Sequence, residues 1–172
     1  IEHERFGLGE EIKVEGGWRR VVPSPAPIDF KNAALVERMA RSGSIVITGG
    51  GGGIPVYVDG EGMLQPLEGV IDKDLASAMI GARVKADELY ILTDVPYIYK
   101  DFRKPTQEVL EFLDYADAMK YLEAGTFGEG SMAPKIRACL SFVEKGGQKA
   151  VITEATKLED RRYGSKITMH YD

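Results

Sequence analysis

Cysteine, histidine and excess basic charge are all scarce in this chain of 172 residues. Its single cysteine, Cys139, excludes an internal disulfide and fits a reducing compartment. The two histidines, His3 and His170, stand near opposite ends in unpatterned contexts, so no metal site is expected. Lys and Arg total 22 against 27 Asp and Glu, and a net charge of −5 argues against nucleic acid as the main partner. No apolar run approaches the roughly 18 residues of a membrane span, and no signal-peptide pattern is present. The expected location is therefore the cytoplasm, without a membrane partner. With 44% hydrophobic and 28% charged residues, the chain reads as one globular unit with a real core.

Against that background one stretch stands out, in which Ile45-Val46-Ile47-Thr48 runs into five glycines, then Ile54-Pro55. The apolar run reads as a buried strand. Glycines at its carboxyl end permit a close ligand approach that side chains would block, and open α/β sheets bind ligands at that edge. A flexible linker is the competing reading; the shortness of the run, between two apolar segments, favours an anion-facing loop. No Gly-Lys-Ser/Thr follows, which excludes a P-loop. The dinucleotide fingerprint fails at its third glycine, and a hairpin over 56–67 follows in place of a helix.

Along the chain, residues 1–17 read as a surface excursion with a short strand at 11–14, and residues 18–172 as one α/β domain. A strand at 18–22 ends in Pro23, Pro25 and Pro27, a stiff extended segment. Asp29 is expected to cap a helix over 30–42 with a stripe through Ala34, Leu35 and Met39. Asp72 caps a second helix reaching about residue 85, and a second buried strand covers 89–93. Asp114 caps a helix over 115–124, stopped by Gly125. Residues 128–135 open another helix, with Pro134 in its first turn and Ile136, Cys139, Leu140 and Val143 on its core stripe. Strands at 150–153 and 165–169 complete an alternation that predicts α/β, an αβα sandwich with a mostly parallel open sheet.

Candidate chemistry gathers at strand ends and helix starts: the glycine loop, Lys73-Asp74, Thr93-Asp94 and residues 131–135. Two lysines, two helix N-termini and a glycine loop make an anion site. Lys73 and Lys135 each sit in a first turn, where a cation opposes the dipole; alone, either reads as a solvated surface charge. Asp74 reads equally as an organiser of the lysines or a favourable first-turn acid. Thr93 and Asp94 read more readily as a turn cap than as nucleotide contacts. Cys139 falls on a core stripe, and no Gly-x-Ser-x-Gly elbow is present.

Five motifs taken in order carry a resemblance: Trp18-Arg19-Arg20-Val21-Val22-Pro23-Ser24-Pro25, Gly50 to Pro55, Val70-Ile71-Asp72-Lys73-Asp74, Ile91-Leu92-Thr93-Asp94-Val95, and Gly130-Ser131-Met132-x-Pro134-Lys135. Together they resemble the carbamate kinases of the amino-acid kinase superfamily. The resemblance implies an αβα fold and the reaction ATP + carbamate ⇌ ADP + carbamoyl phosphate with Mg²⁺, often run toward ATP in arginine breakdown. It implies that Asp74 orients the lysines, Lys135 stabilises the transferred phosphoryl group and Lys73 contacts nucleotide phosphate. It further implies that Gly51, Gly52 and Gly53 face carbamate and phosphate, and that Thr93, Asp94, Gly130, Ser131 and Met132 belong to the nucleotide pocket. The family's opening strand, with Gly-Gly-Asn-Ala, is not in this chain. The expectation is therefore a C-terminal half, partnered by the N-terminal half of such an enzyme, in a homodimer. A kinase of the same superfamily acting on another small acid, or a nucleotide-binding module without catalysis, would share what is visible here.

Overall fold

In the computed structural model, which describes residues 11–14, 17–20, 22–129 and 131–170, strand β1 (Glu11–Val14) pairs antiparallel with β2 (Gly17–Arg20). Most of the expected excursion, residues 1–10, lies outside the described residues, as do Val21 and the candidate Gly130. After the extended prolines comes helix α1 (Ala33–Arg41). It begins later than the sequence suggests. Asp29 accepts from the Phe30 N–H at 2.8 Å, but the cap position belongs to Asn32, and Asp29 instead pairs with Arg83 at 3.1 Å. Its apolar stripe is open to solvent, with Leu35 and Met39 both exposed.

The expected strand at 45–48 is not formed. A β-branched run becomes a strand only when another strand takes up its backbone groups, and among the described residues none does. Ile45 and Ile47 are each 97% exposed. The glycine loop is nonetheless shaped: the Gly52 N–H bonds the Gly49 carbonyl at 3.1 Å, closing a turn. The expected hairpin forms as β3 (Val56–Val58) and β4 (Leu64–Pro66), with Tyr57 opposite Gln65. Asp59 holds its turn, accepting from the Glu61 and Met63 N–H groups at 3.0 and 2.8 Å.

Helix α2 (Lys73–Arg83) starts where Asp72 predicts it: one carboxylate oxygen accepts from the Asp74 and Leu75 N–H groups, both at 2.9 Å. Strand β5 (Glu88–Thr93) follows, then the antiparallel pair β6 (Ile98–Lys100) and β7 (Glu108–Leu110). Strand β8 (Phe112–Asp114) leads into α3 (Tyr115–Glu123), capped by Asp114 at 2.7 Å from the Asp117 N–H. Helix α4 (Met132–Glu144), β9 (Lys149–Glu154) and β10 (Ser165–Thr168) complete the described fold. The main sheet runs β5-β9-β10-β8, with β5 parallel to β9, β10 parallel to β8, and one antiparallel junction. The α/β architecture with a mostly parallel sheet is as expected.

Helix α4 packs across β9, β10 and β5 and against α2 and α3. Its expected stripe of Ile136, Cys139, Leu140 and Val143 is buried, together with Phe142. Each large apolar side chain so buried contributes about 1.5–3 kcal/mol. Small residues on α2 set how closely it meets α4. Ala76 and Ala78 are buried, and a Cβ at Gly81 would lie 3.0 Å from the Phe142 ring. That close crossing brings the start of α2 beside the start of α4.

Candidate active site

At that junction stands Asp74, 7% exposed. One carboxylate oxygen accepts from Lys73 Nζ at 2.9 Å and the other from Lys135 Nζ at 2.7 Å. Burial would push this carboxyl up, but the hydrogen bonds from Lys135 and Lys73 outweigh it and hold Asp74 below the ordinary carboxylate range. The Asp74 hydrogen bond, against some desolvation, raises Lys73 in turn. The two lysines differ in setting: the Lys135 side chain is 15% exposed and that of Lys73 is 59% exposed. The cluster therefore carries a net positive charge, with one ammonium enclosed and one reaching out. Asp74 also stands in the first turn of α2, so its contacts with both lysines are compatible with either sequence reading of it.

The glycine loop meets the same helix start. Gly52 has φ 130°, and a Cβ there would run into the carbonyl oxygen of Ile71, next to the Asp72 cap. The room expected for a ligand at Gly52 is thus taken by the protein's own backbone. Gly51 has no such neighbour, and a Cβ at Gly53 would come no nearer than 3.8 Å to the Gly49 carbonyl. The helix starts are less open to anions than first-turn counting suggests. The Gly128 carbonyl accepts from Ser131, Met132 and Ala133 N–H groups at 3.1–3.2 Å, and Pro134 has no N–H. Helix α4 offers its dipole to the site, while its first-turn donors are spent; positive charge comes chiefly from the lysines.

Lys135 also lines a cavity of about 430 Å³, within the roughly 300–1,000 Å³ of small-molecule sites. Thr93 and Asp94 enter it from the end of β5, and Ser131 and Met132 from the start of α4. Thr93 donates its hydroxyl to the Asp94 carboxylate at 3.1 Å, and both line the cavity. Tyr99, Phe102, Arg103 and Phe127 line it as well, and sequence reasoning missed all four as site residues. The interleaving of aromatic and basic residues over 97–104 is a signal that could have found the first three, while Phe127 carries no such signal. Cys139 is buried and its thiol is pushed up by burial, which leaves it inert as a nucleophile.

The chain has clear relatives. The family model described as "Amino acid kinase family" matches residues 6–154. A carbamate kinase of Halobacterium salinarum is 44% identical over 154 residues, 88% of this chain and 50% of that protein. A carbamate kinase of Thermoplasma volcanium is 46% identical over 141 residues, 82% of this chain and 46% of its own length. The solved structure of carbamate kinase from Giardia lamblia bound to AMP-PNP is similar at TM-score 0.84 and 31% identity. That likeness covers 93% of this chain and 52% of the other. The chain thus spans about half the length of the curated relatives it matches.

Proposed function

Because the chain belongs to the amino acid kinase family, we propose that it is the nucleotide-binding half of a carbamate kinase-like phosphotransferase. The observation that carries this is the buried Asp74 carboxylate bridging Lys73 and Lys135, beside a nucleotide-sized cavity that Lys135 also lines. Phosphoryl transfer needs positioning and positive charge around the equatorial oxygens more than a covalent nucleophile. Lys135, enclosed and fixed at 2.7 Å by Asp74, is the group to meet charge that develops on the transferred phosphoryl. Lys73, more exposed, binds phosphates already present in the ground state. Asp74 acts as a positioning residue. Gly51 and Gly53 face carbamate and the transferred phosphate, with Gly52 packed on Ile71 to shape the loop, and Thr93, Asp94, Ser131 and Met132 hold the nucleotide, with Gly130 beside them in the sequence.

The reaction in this reading is ATP + carbamate ⇌ ADP + carbamoyl phosphate. The complete enzyme is a cytoplasmic homodimer working toward ATP in arginine breakdown; sedimentation and assays in both directions test those parts. Mg²⁺ is implied by the family. Among the described residues no three of His, Cys, Asp and Glu cluster, and both Asp74 oxygens are held by lysines. These residues do not form a cage for the ion, which would arrive on the nucleotide phosphates. The partner is the remaining half of such an enzyme, and its contact surface includes Ile45 and Ile47. Calorimetry with ADP tests the core of the reading: binding supports it, and a flat titration with correctly folded protein removes it.

A further inference from the structure

The strand pair β6–β7 ends in a tip whose backbone is strained at a telling place. Three described non-glycine residues have left-handed backbones: Lys85, Asp101 and Arg103. Lys85 is accounted for by the end of α2, where its N–H bonds Ala82 at 3.2 Å and the next N–H bonds Gly81 at 2.9 Å, a helix-stop motif. Aspartate tolerates the conformation better than most residues. Arginine at φ 62° has neither excuse.

The tip holds Arg103 there firmly. The Arg103 N–H donates to Gln107 Oε1 at 2.8 Å, and the Lys104 N–H to the Asp101 carbonyl at 2.9 Å. Asp101 accepts from Lys104 Nζ and Thr106 Oγ1 at 2.9 and 3.0 Å. The base of the pair is pinned too. Buried Ser165 accepts from the Ile98 N–H at 2.7 Å and donates to the Leu110 carbonyl at 2.5 Å, tying both strands to β10. Every polar side chain named at the tip except that of Arg103 is thus spent on the turn. The guanidinium lies 5.2 Å over the Phe102 ring, and Phe102 in turn lies 5.6 Å from Tyr99, tilted by 30°. Among the described residues no carboxylate pairs with Arg103, and all three groups line the cavity that Lys135 shares.

We infer that Arg103 is a nucleobase-binding residue, its guanidinium plane continuing the Tyr99–Phe102 stack so that a purine lies on its outer face. This rests on the nucleotide reading of the cavity and adds its base end. Bases stack on guanidinium planes as they do on aromatic rings, and residues held in strained conformations by their surroundings cluster at ligand clamps. The phosphate end belongs to the lysines on α2 and α4, which leaves the aromatic side for the base.

The test uses calorimetry of the 172-residue chain with adenosine and with ADP. Arg103→Gly removes the guanidinium and suits the left-handed backbone, so Tm should hold or rise. The Kd for both ligands should rise at least about 5-fold, the low end of a base-stacking contact. Arg103→Lys, with charge but no plane, should lose as much. Wild-type binding with unchanged affinity in Arg103→Gly would overturn this inference alone. A loss confined to ADP, or rescue by Arg103→Lys, would overturn it in favour of a phosphate contact. No binding by the wild-type chain would overturn it together with the nucleotide reading.

Discussion

At the scale of single residues, Asp74 and the two lysines make separable predictions, all read in the complete enzyme. If Lys135 meets charge that develops during transfer, Lys135→Ala should lower kcat by roughly 10²–10³-fold, about 3–4 kcal/mol. Lys73→Ala should instead raise the KM for nucleotide with a smaller change in kcat, since its side chain is the more exposed. Asp74→Asn removes the charge that aligns both ammonium groups. Combined with Lys135→Ala it should cost less than the two losses added, and strict additivity would mean that Asp74 does not position Lys135. The pH dependence has a definite sign. Asp74 is depressed in the folded state, so its stabilisation is present above the unfolded value of about 3.9 and is lost only as pH falls through the lower folded value. Thermal melts between pH 5 and 8 should therefore be indifferent to Asp74→Asn in slope against pH, even if its Tm is lower throughout.

Among the elements, the glycine loop and the start of α2 are joined, and substitutions should tell their two jobs apart. Gly52→Ala sets a Cβ against the Ile71 carbonyl at φ 130°. It should destabilise the fold by about 1–3 kcal/mol before any ligand is considered. Gly51→Ala meets no protein atom within 4 Å. It should leave the circular dichroism melt unchanged, and a fall in turnover would then report ligand approach to this loop. Full activity in Gly51→Ala would return the loop to a purely structural role. The cap beside it is simpler. Asp72 accepts two helix-start N–H groups, and Asp72→Ala should cost about 1 kcal/mol, measurable by denaturant unfolding with an unchanged m value.

For the molecule as a whole, the exposed run at 45–48 sets the expectation. Leaving Ile45 and Ile47 open forfeits about 1.5–3 kcal/mol each relative to burial. Ile45→Ser with Ile47→Ser should thus barely change the stability of this chain but weaken its assembly with the other half of the enzyme. Equal assembly of variant and parent in a pull-down would remove that surface from the interface. The chain alone should bind ADP yet form no ATP from carbamoyl phosphate; turnover by the isolated chain would refute the division of labour. The sequence by itself determined the helix caps at Asp72 and Asp114, the stripe through Ile136 and Val143, and the strands around Ile91 and Ile152, because those signals are local and periodic. It also picked out Lys73, Asp74 and Lys135 by their places in two first turns, while the roles of these residues came through a resemblance that spacing alone could not supply. Only the tertiary structure decided the rest. Whether Ile45 to Thr48 forms a strand depends on a neighbour, the room at Gly52 went to Ile71, and Tyr99, Phe102 and Arg103 reached the cavity only because Ser165 pins their hairpin to β10. Each is a contact between segments far apart in the chain, and no local pattern encodes its geometry.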